Sequence, residues 1–296
     1  MKDSGSCCYP RGLLKILVLA AIQGAAELLP VSSSAHVIVA AKLMGLDPTM
    51  PEMTLLLIML HTGTMIAVIL YFWKSWKTSF FASREIFLKS SWLIVVATAI
   101  TGGIGLALKW LIERFMLKSV QHAEIELLFG NLSLIAAALA AVGIFIIYAG
   151  IKGNRSEEAN ALSLRAAYWI GAVQGFCLPF RGFSRSGATI STGLLLGIAR
   201  TRVEEFSFAL AVVLTPPLIV REVLRLLNAH VTSSSHGINL LGLFYPGLLG
   251  MVLSFISGLL ALRWLSRWLE GGRWHFFGFY CLCASAIVFL LHRNGF

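Results

Sequence analysis

Charge is what this sequence has least of. Lys, Arg, Asp and Glu together make 13% of its 296 residues, where a soluble domain carries about 25%. With 57% hydrophobic residues and a mean hydropathy of +0.81, that scarcity excludes a soluble globular enzyme and points to a polytopic membrane protein. Long polar connections are also missing. Short loops separate the apolar runs, so there is no room for a separate soluble domain. Metal-type cysteine spacing is absent as well. Cys7, Cys8, Cys177, Cys281 and Cys283 form no CxxC pair with a second pair or with histidines, which excludes a structural zinc module. Cys281 and Cys283 read as packing residues in an apolar run. Cys7-Cys8 read either as acylation sites or as an unremarkable N-terminus. A removable signal is not expected, because the apolar run from Gly12 leads straight into a polar stretch that cleavage would destroy.

The net charge of +10 does not indicate nucleic acid, because the bases sit in loops between apolar spans. Lys and Arg accumulate on the cytoplasmic side of membrane proteins, and an anionic substrate can use the same field. Six full spans are expected near Met53–Trp73, Ser91–Leu108, Leu127–Gly150, Phe206–Leu227, Leu240–Leu262 and His275–Leu291, each close to the ~20 residues that cross a bilayer. Two further apolar segments do not fit as spans. Leu13–Leu46 is broken by Pro30, and Ala166–Ile198 by Pro179 and Gly182. Proline removes a backbone donor and biases its predecessor away from helix, so each reads as a re-entrant helical hairpin. The basic loops, which carry Lys74, Lys77, Arg84 and Lys89, then Lys152, Arg155 and Arg165, then Arg263, Arg267 and Arg273, alternate with less basic ones at Lys109–Glu126 and Asn228–Asn239. That places the basic loops in the cytoplasm and both termini outside. Lys2, Arg11 and Lys15 argue mildly against an external N-terminus.

The expected fold class is an all-α polytopic membrane protein: six transmembrane helices plus two re-entrant helical hairpins in an inverted-topology repeat. Residues 1–150 form the first repeat, 151–164 a cytoplasmic linker and 165–296 the second, within a single membrane domain. The repeat shows in spacing. Gln174 follows Gln23 by 151 positions, Ser184 follows Ser32 by 152 and Gly197 follows Gly45 by 152. Three spans per half is an odd number, so the second half is inverted and the two broken tips can meet near the midplane.

What little polar chemistry there is concentrates at those breaks. Gln23 and Glu27 share a helix face. Ser32, Ser33, Ser34 and His36 open the next helix, where Ser32 and His36 stand at i and i+4 and Ser33 and His36 at i and i+3, a spacing that allows a serine–imidazole hydrogen bond. The second break supplies Ser184, Arg185, Ser186 and Thr189. Ionisable groups at membrane depth are costly and mark functional sites. Two helix starts plus a guanidinium suit a pyrophosphate. Each residue also has a plainer reading. Ser32–Ser34 fit simple N-caps, Glu27 a structural carboxylate paired to Arg185, His36 a satisfied core histidine, and Arg181 a loop residue reaching for water. Their coincidence at matching breaks favours a site.

These stretches resemble the bacterial undecaprenyl-diphosphatase family, the integral membrane phosphatases tied to bacitracin resistance. The first signature appears as Gln23-Gly24-Ala25-Ala26-Glu27 followed by Leu29-Pro30-Val31-Ser32-Ser33 and His36. The second appears as Arg181-Gly182-Phe183-Ser184-Arg185-Ser186-Gly187-Ala188-Thr189. Glu205-Phe206-Ser207-Phe208 and His61-Thr62-Gly63-Thr64 also look like the family, and the resemblance covers essentially the whole chain. Arg181 stands where the family motif has proline, and Ser34-Ala35 where Thr-Gly is common. The resemblance implies removal of the terminal phosphate of a C55 isoprenyl diphosphate. It further implies a bacterial inner-membrane location, a site facing the periplasm or exterior, and a divalent cation, Mg²⁺ or Ca²⁺. By it, Glu27 is a metal ligand or acid/base supported by Gln23, and Ser33 the nucleophile or a phosphate donor. His36 is then the proton-transfer group and Arg185 the phosphate clamp, with Ser32, Ser34, Ser184, Ser186 and Thr189 holding substrate. The partners are the polyprenyl diphosphate and membrane lipids, with a homodimer left open. A transporter or flippase for the lipid carrier, or a non-catalytic lipid-phosphate binder, are the competing readings; neither needs a nucleophile with an acid/base group.

Overall fold

The computed structural model describes residues 13–46, 51–116, 131–153, 162–232 and 240–294. They form helices α1 (Leu13–Leu28), α2 (Ser33–Leu43), α3 (Pro51–Ser79), α4 (Arg84–Met116), α5 (Leu132–Lys152), α6 (Leu164–Cys177), α7 (Arg185–Leu195), α8 (Arg200–Thr232), α9 (Leu240–Glu270) and α10 (His275–Arg293). Cys7, Cys8, Glu157, Glu158 and most of the 109–126 connection lie outside the described residues.

Six of these helices are long and apolar enough to cross a membrane: stretches within α3, α4, α5, α8, α9 and α10 of between 19 and 32 residues. Their outward faces are apolar, as lipid contact requires. Leu70, Trp92, Leu106, Tyr245 and Leu260 all expose more than half of their surface. The helices begin earlier or later than hydropathy alone predicts. α4 starts at Arg84 and α8 at Arg200, because backbone hydrogen bonding does not need apolar side chains. α5 starts at Leu132, five residues after the expected edge, because Asn131 accepts hydrogen bonds from Ser133 N and Leu134 N at 3.0 and 3.2 Å and so fixes the first turn.

The two broken segments are the helix pairs α1–α2 and α6–α7. Each pair ends in the same way. Gly45 and Gly197 take positive φ of 66° and 74°, and the residue after each sends its N–H back to Ala41 O and Gly193 O. This left-handed stop is available to glycine at little cost. Each first arm also lies very close to a spanning helix. A Cβ on Gly24 would sit 2.6 Å from Ser254 O in α9, and one on Gly175 would sit 2.7 Å from Thr101 O in α4.

Helix pairing runs in matched sets. α1 lies on α9 and α6 on α4; α3 meets α9 and α8 meets α4; α3 also pairs with α8, and α5 with α10. The largest core cluster joins both hairpin tips to the spans, with Leu29, Val31, Ile146, Ala188, Ile190, Phe206 and Phe208 among its members. Buried acids brace α3, α8 and α9 at the C-terminal end of α3. Glu205 accepts from Ser75, from Ser79 at 2.6 Å and from Arg202 at 3.2 Å, while Glu204 accepts from Ser266 at 2.6 Å. Ser75 lies about 21 Å along α3 from His61 at 1.5 Å per residue, so this bracing is separate from the site described next.

Candidate active site

The two breaks meet. A Cβ on Gly187 would lie 3.2 Å from Pro30 Cβ. Ser186 Oγ donates to Leu29 O at 3.3 Å and Cys281 Sγ to Pro30 O at 3.3 Å. These contacts carry Glu27, on the last turn of α1, up to Arg185, the first residue of α7. Arg185 Nη2 donates to Glu27 Oε1 at 3.2 Å. The side chains are only 23% and 16% exposed, so the pair is shielded and not a solvated surface bridge.

The other carboxylate oxygen is more crowded. Glu27 Oε2 accepts from Gln23 Nε2 at 3.1 Å and from Ser33 Oγ at 2.5 Å, and His61 Nε2 stands 3.6 Å away. A structural ion pair needs only the Arg185 contact. Here four side chains from α1, α2, α3 and α7 converge on one carboxyl group.

The chain enters α2 through Ser32 with φ 67°, among the described residues the one non-glycine at positive φ. That conformation costs on the order of 1 kcal/mol, and such strain gathers at functional sites. Ser32 makes no side-chain cap; its hydroxyl lies 3.3 Å from Ser34 Oγ. The plain N-cap reading therefore fails for Ser32. It holds at the other break, where Ser184 Oγ accepts from Gly187 N at 3.2 Å.

The Ser33–His36 hydrogen bond that the spacing allows does not form. Ser33, the first residue of α2, turns back onto Glu27 across the break. His36 Nδ1 lies 2.8 Å from Ser32 O, and its Nε2 2.8 Å from Tyr280 OH in α10. A carbonyl oxygen can only accept, so Nδ1 carries the proton and, in the neutral ring, Nε2 accepts from Tyr280. The His36 and Tyr280 rings stack with centroids 5.7 Å apart.

Two further placements complete the set. Thr189 is fully buried, donates to Arg185 O at 2.9 Å and lies 2.5 Å from Ser207 Oγ in α8, which satisfies its hydroxyl inside the fold. Arg181 is half-buried in the turn between α6 and α7. Sequence reasoning assigned no role to His61 or Tyr280. The signal for His61 was there: an imidazole in the middle of an apolar span. Tyr280 gave no comparable signal, because a tyrosine in a spanning helix is unexceptional.

A bundle of six spanning helices that brings two broken helical pairs together around a carboxylate, a serine and an arginine defines a polytopic membrane protein with a shielded polar centre. The whole-chain comparisons agree with the sequence signatures. Residues 16–287 match the family model described as "Bacitracin resistance protein BacA". The chain is 58% identical over 280 residues to undecaprenyl-diphosphatase 2 of Acinetobacter baylyi, covering 94% of this chain and 98% of that protein. It is 31% identical over 282 residues to undecaprenyl-diphosphatase of Rhodopirellula baltica, covering 95% and 98%. The chain belongs to the BacA family.

Proposed function

We propose that this protein is a membrane phosphatase that hydrolyses undecaprenyl diphosphate to undecaprenyl phosphate and inorganic phosphate, and that bacitracin resistance follows from this activity. The carrying observation is that one carboxylate, Glu27, holds Ser33 on one oxygen and Arg185 on the other. The name of the 58% identical relative supports the same substrate. Transport or passive binding of the lipid carrier gives no reason to set a serine hydroxyl 2.5 Å from a shielded carboxylate.

In this reading Ser33 Oγ attacks the terminal phosphorus and its proton passes to Glu27 Oε2. The bond from that phosphorus to the bridging oxygen breaks, and Glu27 returns the proton to the departing lipid phosphate. Water then cleaves the phosphoserine, giving a proton to Glu27, which restores the Ser33 hydroxyl as inorganic phosphate leaves. Glu27 takes the base role toward Ser33, and His36, bonded elsewhere, relays the proton that Glu27 releases to the leaving phosphate. Arg185 uses one nitrogen on Glu27 and keeps further N–H donors for phosphate oxygens. The uncapped first turn of α2 faces the same region and suits an anion. Gln23 orients Glu27, Ser32 and Ser34 line the start of α2, and Ser184, Ser186 and Thr189 hold α7 in place. Phosphoryl transfer depends on such positioning and charge neutralisation.

A divalent cation, Mg²⁺ or Ca²⁺, fits the oxygen donor Glu27, and it would supply charge neutralisation at the phosphates. Among the described residues no three His, Cys, Asp or Glu side chains gather to hold a metal, so substrate oxygens would complete its shell. The matched helix pairings support two inverted repeats joined at the 151–164 linker, with the α1–α2 and α6–α7 pairs as re-entrant hairpins. The loop charges support a site that opens to the outer face of the bacterial inner membrane. The test is phosphate release by purified protein given C55 diphosphate, with and without EDTA. Release that EDTA abolishes is expected; no release under any metal condition would refute the reading.

A further inference from the structure

His61 sits opposite Glu27 in an arrangement that neither hydrogen bonding nor packing explains. Its Nδ1 lies 2.8 Å from Leu57 O, one turn back on its own helix. A carbonyl oxygen only accepts, so the ring proton is on Nδ1, and neutral His61 turns the lone pair of Nε2 toward Glu27 Oε2 at 3.6 Å. That gap is too long for a hydrogen bond. Two electron-rich atoms thus face one another, in a cluster whose other donors, Gln23, Ser33 and Arg185, are already committed to Glu27. The imidazole is 41% exposed, which leaves room for additional ligands.

A metal-binding histidine has this form. It fixes its tautomer by donating the other ring N–H to a carbonyl or carboxylate. An ion about 2.1 Å from both a nitrogen and an oxygen ligand spans about 3.0 Å when the ligands subtend a right angle and about 4.2 Å when they are in line. The observed 3.6 Å falls between. The alternative is a proton on Nε2, which makes His61 an imidazolium ion-paired with Glu27 and leaves no place for an ion.

We infer that His61 Nε2 and Glu27 Oε2 together form the protein's share of a divalent cation site, with phosphate oxygens and water completing it. One nitrogen ligand disfavours Ca²⁺, which takes oxygen, relative to first-row transition ions, whose affinity for such a site rises from Mn²⁺ along the row; Mn²⁺ serves as the paramagnetic probe. This inference rests on the diphosphatase reading for the phosphate ligands, but its test does not need turnover.

The experiment is pulsed EPR on the purified full-length protein loaded with Mn²⁺ after chelator treatment, read for ¹⁴N coupling from a directly bound imidazole. Wild type and His36→Gln should show the coupling, and His61→Gln should lose it. Mn²⁺ affinity in His61→Gln should fall about tenfold or more while Ca²⁺ affinity changes little. Absence of ¹⁴N coupling in the wild type, or its survival in His61→Gln, would overturn the site and leave His61 as an ion-pair partner of Glu27. Phosphate release from C55 diphosphate is measured on the same samples. Release without ¹⁴N coupling refutes the His61 site alone; coupling without release with any metal supports the site and refutes the proposed activity.

Discussion

The α1–α2 and α6–α7 hairpins share a backbone plan and differ in nearly every reactive position. Both carry a buried glutamine on the first arm, a glycine pressed on a spanning helix, a serine at the break and a positive-φ glycine at the exit. At matched offsets, however, Glu27 corresponds to Leu178, Ser33 to Arg185, His36 to Ala188 and His61 to Val213. Gln23 donates to Glu27. Its counterpart Gln174 donates to Thr101 at 3.2 Å, and its buried carbonyl oxygen has no partner among the described residues. Ser184 is an ordinary cap, whereas Ser32 is strained and caps nothing. The lesson is a division of labour. One hairpin carries the carboxylate, serine and imidazole on a strained break, and the other presents a single guanidinium on a relaxed, well-capped helix.

The sharpest way to break this comparison is at its serines. Ser33→Ala should lower kcat by about a thousandfold or more, as loss of an activated nucleophile does, and rapid quench of the wild type should trap labelled phosphate on Ser33. Its counterpart Ser184→Ala should cost about 1 kcal/mol of stability as a lost cap, with far smaller loss of turnover. If Ser33→Ala keeps a tenth of the rate and no phosphoserine is trapped, water is the nucleophile and Ser33 a binding residue. Glu27→Gln should then cost on the order of a hundredfold to ten-thousandfold, the range of general acid–base catalysis. Gln23→Ala should cost much less, since it only orients the carboxylate. Equal, small losses would make the carboxylate structural.

Smaller effects sharpen the picture at the edges. Tyr280→Phe removes one hydrogen bond to His36, worth about 1 kcal/mol. It should lower kcat about fivefold with KM little changed if His36 serves the leaving phosphate. An unchanged kcat would make the contact merely a packing one. Arg181→Pro restores the family residue in the second turn, and activity should hold or rise. A large loss would mean that Arg181 contacts phosphate.

The sequence made the spans legible because apolar runs of bilayer length have few other uses. It made the two breaks legible because proline interrupts backbone hydrogen bonding. Glu27, Ser33 and Arg185 stood out as polar groups at those breaks. The Ser33–His36 spacing misled, because i, i+3 arithmetic assumes both residues sit inside a regular helix. Ser33 instead opens α2 behind a left-handed Ser32, so it faces Glu27 across the break. The contacts of His61 and Tyr280 depend on the register of α3 and α10 against the hairpins, 34 positions from Glu27 and 244 from His36. No local pattern encodes that register.

The central claim is that the two hairpins form one catalytic unit, joined through Glu27 and Arg185. A double-mutant cycle on phosphate release tests it most directly. Arg185→Ala alone should cost about a hundredfold to a thousandfold, as loss of a charged transition-state donor does. If the two residues act together, Glu27→Gln with Arg185→Ala should be little worse than the more damaging single change. If instead the two losses multiply, the residues act independently, and the hairpins do not share a site.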